Sequence, residues 1–171
     1  RFLSLLNIRV RVVAASGNDY NTTANYPASY DYVISVASHN SSGDKSAFSN
    51  YNAYVDISAP GEYIYSTKKD GGYGFGNGTS YAAPYVSGIA AMIKAVAPSK
   101  TNEQITSILT STAVKPAGQT GRSDEFGYGY ANAPAALKST LDLDYSSSEI
   151  ALNYDRVHLG SGLDSINLNA A

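Results

Sequence analysis

Gly76-Asn77-Gly78-Thr79-Ser80-Tyr81-Ala82-Ala83-Pro84-Tyr85-Val86-Ser87-Gly88 decides how the rest of the chain is read. Glycines and small residues lead into one serine. An apolar segment follows through Ile89, Ala90, Ala91, Met92, Ile93, Ala95 and Val96. Apolar positions fall on most faces of a 3.6-residue repeat, which predicts a largely buried helix. Pro84 is tolerated in a first turn, where N–H groups have no partner inside the helix. Ser80 then sits at or beside a helix N-terminus, among free N–H groups and the positive end of the macrodipole. A serine that passes through an oxyanionic intermediate gains from that position. A plain N-cap serine gives the same local pattern.

A second stretch, Val12-Val13-Ala14-Ala15-Ser16-Gly17-Asn18, is an apolar β-type run that stops abruptly at Gly17-Asn18. Taken alone, Asn18 reads as a left-handed residue ending a strand next to glycine.

Together the two stretches resemble the subtilisin-like serine peptidases. Gly78 to Pro84 matches the family's Gly-Thr-Ser, small-residue, proline motif, and Ala14 to Asn18 matches its Ala-Ala-x-Gly-Asn strand end. Further matches are Tyr26-Pro27-Ala28-Ser29-Tyr30 leading into Val33-Ile34-Ser35-Val36-Ala37, and Phe48-Ser49-Asn50 followed by Val55-Asp56-Ile57-Ser58-Ala59-Pro60-Gly61. Gly127-Tyr128-Gly129-Tyr130-Ala131-Asn132-Ala133 resembles the segment that closes the catalytic domain. The resemblance runs from about Ile8 to about Leu137.

The chain has 171 residues, enough for one domain with a sizeable core. Charged residues make up 15%, against about 25% in an ordinary soluble domain. Net charge is −2, so nothing points to nucleic acid or to an anionic membrane. Cysteine is missing, which excludes disulfides, thiolate metal sites and a cysteine nucleophile. The apolar start, Arg1-Phe2-Leu3-Ser4-Leu5-Leu6, is too short to span a membrane.

Along the chain, residues 1–6 read as the last turns of an amphipathic helix, with Asn7 as its stop. Residues 8–15 form a strand whose apolar run suits burial on both faces, as in a parallel sheet. Residues 32–38 and 54–59 are further strands, and residues 62–77 are a hairpin or loop delivering Ser80. The helix after Ser80 ends near Ala97-Pro98. Thr101-Asn102-Glu103-Gln104 is a capping box for a helix through about Thr112. Residues 116–126 are a loop, and a last helix covers residues 132–140. Beyond Leu141 the pattern alternates (Ile150, Leu152, Tyr154; Ile166, Leu168), giving one or two half-buried strands.

The expected fold is therefore α/β. The resemblance makes it a subtilisin-like three-layer arrangement with a mostly parallel central sheet, incomplete at its N-terminal side, plus a short β-type C-terminal tail. Residues 1–140 are read as the C-terminal part of a catalytic domain and residues 141–171 as an extension. The first strand would be central in the family fold. Without its neighbours it would expose an apolar edge, so this chain alone is not expected to be a stable free domain.

The resemblance implies an endopeptidase that cuts polypeptides through an acyl-enzyme. Ser80 would be the nucleophile, and Asn18 would hold the oxyanion with the backbone N–H of Ser80. Ala14, Ala15, Ser16, Gly17, Asn25, Asn77, Gly78 and Thr79 would line the substrate site. Asn25 stands where relatives often have glycine, which shortens the primary pocket and makes it more polar; Asp19 would sit at the rim. Tyr81 and Tyr85 replace a methionine and a non-catalytic histidine common in relatives.

The family's aspartate and histidine lie upstream of the oxyanion asparagine, and the 17 residues before Asn18 contain neither. They are expected on an upstream segment or a partner chain, so this chain alone is not expected to be competent. His39, in a polar turn, and His158, in the tail, read as exposed surface residues, and Asp56 as structural. No cofactor is needed for this chemistry. A structural calcium is a family feature, and the turn at Ala28, Tyr30 and Val33 resembles a weak cation site built from backbone carbonyls. Asn21-Thr22-Thr23 and Asn40-Ser41-Ser42 match the glycosylation sequon and fit a secreted protein. Asn77-Gly78-Thr79 matches too but is expected to be inaccessible beside the site.

Two other classes compete. One is a catalytically inactive binding or scaffolding module with the same fold. The other is an α/β-hydrolase, whose nucleophile elbow needs glycine two residues after the serine, where this chain has Ala82.

Overall fold

The computed structural model describes residues 11–141. The predicted terminal helix at residues 1–6, the tail strands and His158 lie outside the described residues. Within them the elements run β1 (Val12–Ala15), β2 (Val33–His39), β3 (Ile57–Pro60), β4 (Ile64–Thr67), β5 (Tyr73–Gly76), α1 (Thr79–Val96), α2 (Asn102–Ser111) and α3 (Ala133–Leu141).

β1, β2 and β3 form a parallel sheet in that order, with Val12 opposite Val33 and Val36 opposite Ile57. β2 is central and buried along its whole length, as its near-continuous apolar and small residues require. The outer edge of β3 is covered by residues 127–131: Tyr128 N–H donates to Asp56 O, Ser58 N–H to Gly129 O and Ala131 N–H to Ser58 O. Among the described residues β1 covers Val12–Ala15 and is less buried than its sequence predicts. Only Ala14 is buried, because among the described residues β1 has a neighbour on one side alone.

α1 lies across all three strands and carries α2 and α3. Ile34, Val36, Ile57 and Ala59 from the sheet meet Val86, Ile89 and Ile93 from α1, with Ile105 and Leu109 of α2 closing the core. The capping box forms as predicted: Gln104 N–H donates to Thr101 Oγ1 at 3.3 Å, and Thr101 N–H donates to Gln104 Oε1 at 2.8 Å. The segment before Ser80 is a hairpin, β4 antiparallel to β5.

Two sequence expectations about α1 are corrected, and the alternative reading of Ser80 as its N-cap is excluded. The helix is not buried all round: Thr79, Ala82, Val86, Ile89 and Ile93 are buried, whereas Tyr85, Met92 and Val96 are exposed. Its sheet-facing stripe has partners among the described residues and the opposite face does not. Pro84 is the sixth helical residue, in the second turn rather than the first. Lacking an N–H, it leaves the Ser80 carbonyl, four residues back, without its helical bond. The N-cap is Gly78, not Ser80, and no side chain of its own caps it.

His39 is also misjudged by sequence. It is the last residue of β2 and only 8% exposed. Its Nδ1 lies 3.2 Å from Ser58 Oγ, and its ring packs against Tyr130 at 4.4 Å between centroids. Burial pushes its pKa down from 6.5 to about 4. A polar flank made the position look like a turn, but the strand continues through it.

Candidate active site

The site forms where the end of β1 meets the start of α1. The missing cap of α1 is supplied across the fold by Asn18, whose Oδ1 accepts the Thr79 N–H at 2.8 Å. The Thr79 hydroxyl donates to the same oxygen at 2.8 Å and accepts the Gly17 N–H at 3.3 Å. Thr79 is completely buried, so these bonds form out of water, where leaving one unmade is costly.

With Oδ1 fully engaged, the Asn18 amide is fixed with Nδ2 turned the other way. Ser80 Oγ and Asn18 Nδ2 face one small space beside Gly78: a Cβ placed on Gly78 would lie 3.1 Å from Ser80 Oγ and 3.6 Å from Asn18 Nδ2. Gly78 has φ +150, a conformation that side-chain-bearing residues avoid. Ser80 and Asn18 are both exposed, so a reacting group has access to them. Ser80 is the second helical residue, and its N–H is among those an α-helix cannot satisfy internally. Two N–H donors and a hydroxyl at a helix N-terminus suit a reaction in which negative charge develops on a carbonyl oxygen.

The left-handed backbone at the end of β1 falls on Gly17 (φ +115), not on Asn18. The loop that follows is held by Asn50, 1% exposed. Its Oδ1 accepts the N–H groups of Asp19 at 2.8 Å and Asn21 at 3.3 Å, and its Nδ2 donates to Ser16 O at 3.3 Å. Sequence alone gave Asn50 no role, because a buried asparagine looks like any turn asparagine until its partners are known.

Of the substrate-lining candidates, Ser16 is buried, and Asn25 is half-buried with Nδ2 donating to Ser16 O at 3.3 Å. Ala14 is buried in β1 and Ala15 half-buried. Asn77 is exposed, contrary to the inaccessibility expected of its sequon; its Oδ1 accepts the Tyr63 N–H at 2.7 Å, while Gly78 and Thr79 are buried. Tyr81 packs its ring under Gly76.

No base is brought to Ser80 among the described residues: His39 is committed to Ser58 and Tyr130. Asp56 accepts the Ser35 N–H at 2.9 Å, and burial raises its carboxyl above the usual range. Ala28, Tyr30 and Val33 line a cleft of about 390 Å³ with Asp31 and Asp56. Among the described residues no group of three or more histidine, aspartate or glutamate residues is placed to hold a metal ion. None of the described helices is long and apolar enough to cross a membrane.

A family model described as the subtilase family matches residues 7–129. The chain is 40% identical over 129 residues to alkaline elastase YaB of Bacillus sp. (strain YaB), covering 75% of this chain and 33% of that protein. It is 44% identical over 107 residues to thermitase of Thermoactinomyces vulgaris, covering 63% of this chain and 38% of that protein. Among solved structures, a protease from Pseudoalteromonas arctica PAMC 21717 matches with TM-score 0.70 and 36% identity, over 77% of this chain and 43% of the other. The chain therefore spans between a third and two fifths of the curated relatives named.

Proposed function

This chain belongs to the subtilase family, and from that premise we propose that it is part of a serine endopeptidase that cleaves polypeptides through an acyl-enzyme on Ser80. One observation carries the proposal: Ser80 Oγ and Asn18 Nδ2 face the same space beside Gly78.

Ser80 Oγ attacks the carbonyl carbon of the scissile bond while a base takes its proton. The carbonyl oxygen becomes an oxyanion, held by Asn18 Nδ2 and the Ser80 N–H. The same base returns the proton to the leaving amine, and water then releases the acyl group as a carboxylic acid. The histidine base and its aspartate are assigned to a segment outside this chain or to a partner chain, since His39 is engaged elsewhere.

The strand end at residues 14–17 and Asn25 form the primary pocket in this reading. Asn25, tied to Ser16 O, shortens it and disfavours the largest aromatic side chains. A cleavage library with best turnover on phenylalanine would contradict that. The protein is secreted in this proposal, as its resemblance to secreted subtilisins implies. In this reading the turn at Ala28, Tyr30 and Val33, which lines a cleft with Asp31 and Asp56, would hold a hard cation through backbone carbonyls. Its role is structural and is read as a calcium-dependent rise in unfolding temperature.

The test is fluorophosphonate labelling of natively purified protein, with intact-mass measurement of every chain present. Label on Ser80, lost in Ser80→Ala, is the expected result. Absence of label, with all upstream sequence known and lacking the base, would instead support a silent binding module.

A further inference from the structure

Asn18 is exposed and follows a glycine in the left-handed region, φ +115, so the local chain leaves its direction loosely set. A distant segment sets it. Residues 48–51 run beside residues 16–21 and are bonded to them along their length. Tyr20 N–H donates to Phe48 O at 2.9 Å, Asn50 N–H to Gly17 O at 3.0 Å and Tyr51 N–H to Asn21 O at 3.1 Å. Asn50 sits within this strap and is buried. Its side-chain amide occupies the space that a Cβ on Gly17 would need, so the glycine is what lets the two segments close on each other.

Asn50 holds the two peptide groups that flank Asn18. Its backbone N–H binds the oxygen of the Gly17–Asn18 peptide, and its Oδ1 accepts the N–H of the Asn18–Asp19 peptide at 2.8 Å. The planes of those two peptides define φ and ψ of Asn18, so one residue sets the direction of the Asn18 Cα–Cβ bond. The remaining bonds brace Asn50 itself. Oδ1 also accepts the Asn21 N–H at 3.3 Å, Nδ2 donates to Ser16 O at 3.3 Å, and the Asn50 carbonyl accepts the Ser16 hydroxyl at 3.4 Å. Thr79 fixes the amide at the far end of the Asn18 side chain. Asn50 thus decides where that side chain leaves the backbone, and Thr79 decides how its amide is turned.

We propose that Asn50 is a positioning residue for the reaction at Ser80: it places Asn18 Nδ2 at the oxyanion by holding the backbone on both sides of Asn18. The proposal rests on the peptidase reading above. Asn50 is 1% exposed, so it acts through Asn18 and not on the substrate. In Asn50→Ala the bond to Gly17 O survives, because the backbone makes it, and the Asp19 N–H loses its acceptor. The second peptide plane is then released and ψ of Asn18 drifts. A hydrogen bond weakens steeply as its angle opens, so a small drift of Nδ2 is felt at the oxyanion. Charge on that oxygen develops only in the transition state, which puts the loss in kcat and not in KM.

The experiment is a double-mutant cycle on the native full-length protein: wild type, Asn50→Ala, Asn18→Ala and the two combined. Each is followed by kcat and KM on one peptide substrate and by the rate of fluorophosphonate labelling. Asn50→Ala should lower kcat and the labelling rate by about tenfold and leave KM within about twofold. In the Asn18→Ala background the same change should cost less than about twofold, because the group it places is gone. A loss of about tenfold in both backgrounds would mean that Asn50 acts on the fold at large, and would overturn the proposal. So would a lower Tm with kcat unchanged, or an effect confined to KM. Asn50→Ser, which keeps a hydroxyl acceptor in a smaller side chain, goes through the same cycle should Asn50→Ala fail to fold. The two readings fail differently. A wild type that takes no label and cuts no peptide overturns the peptidase reading and this proposal with it. A labelled wild type matched by Asn50→Ala overturns the positioning role alone.

Discussion

Thr79 holds Asn18 by a single oxygen: its backbone N–H and its hydroxyl both donate to Asn18 Oδ1 at 2.8 Å. Each bond fixes the same rotation of the amide, and together they leave only Nδ2 to face Ser80. Thr79→Val keeps the shape, removes one of these bonds and leaves the buried Gly17 N–H without its acceptor. The expected outcome is a fall in kcat of about tenfold with KM nearly unchanged, the signature of an interaction used in the transition state. Thr79→Ser should retain most activity. Steady-state kinetics on the full-length protein decide it, and an effect on KM alone would contradict the orienting role.

Gly78→Ala would place a methyl group in the space between Ser80 Oγ and Asn18 Nδ2, at a backbone φ of +150. Fluorophosphonate labelling should fall by at least about 100-fold, as for loss of an oxyanion donor. Stability should drop by about 1–3 kcal/mol from the strained backbone. Labelling at the wild-type rate would mean the reacting carbonyl sits elsewhere.

His39 sets a pH dependence of stability. Its folded pKa, about 4, lies below the ordinary 6.5, so the unfolded chain binds the proton more tightly. Its contribution is complete above pH 6.5 and is lost as pH falls toward 4, by about 3 kcal/mol. Asp56 works in the opposite sense, because its raised carboxyl pKa favours the folded state on acidification. The check is therefore a difference: chemical unfolding of wild type and His39→Gln from pH 7 to 4. The wild type should lose more stability, and parallel curves would refute the assignment.

Thr101→Ala removes the side-chain acceptor of the α2 capping box. The helix buries Ile105 and Leu109 in the core, so the loss is felt globally. A cost of about 1 kcal/mol is expected, seen as a Tm lower by about 3 °C. Ser80 labelling should not change. A drop in labelling would show that α2 acts on the site.

What was legible in the sequence follows from how local each signal is. The capping box, the hairpin and the helix after Ser80 are written in neighbouring residues, and all three appear in the fold. The burial of α1 and β1 was overestimated, because apolar content says what a segment is able to bury, not which face finds a partner. Asn50 and His39 were missed or misjudged for the same reason: their environments come from strands and loops far away in sequence.

The sequence by itself determined the family, the order of the parallel strands and helices, and the pairing of a Gly-Thr-Ser motif with a Gly-Asn strand end. Periodicity and residue type suffice for the elements, and the family follows from the resemblance of the matched motifs. Only the tertiary structure decided that Gly78, not Ser80, caps α1, that Thr79 rather than the local chain orients Asn18, and that Asn50 holds both peptide groups flanking Asn18. Each of these depends on hydrogen bonds or packing between segments brought together by the sheet, and a linear pattern carries no record of which partner a polar group meets.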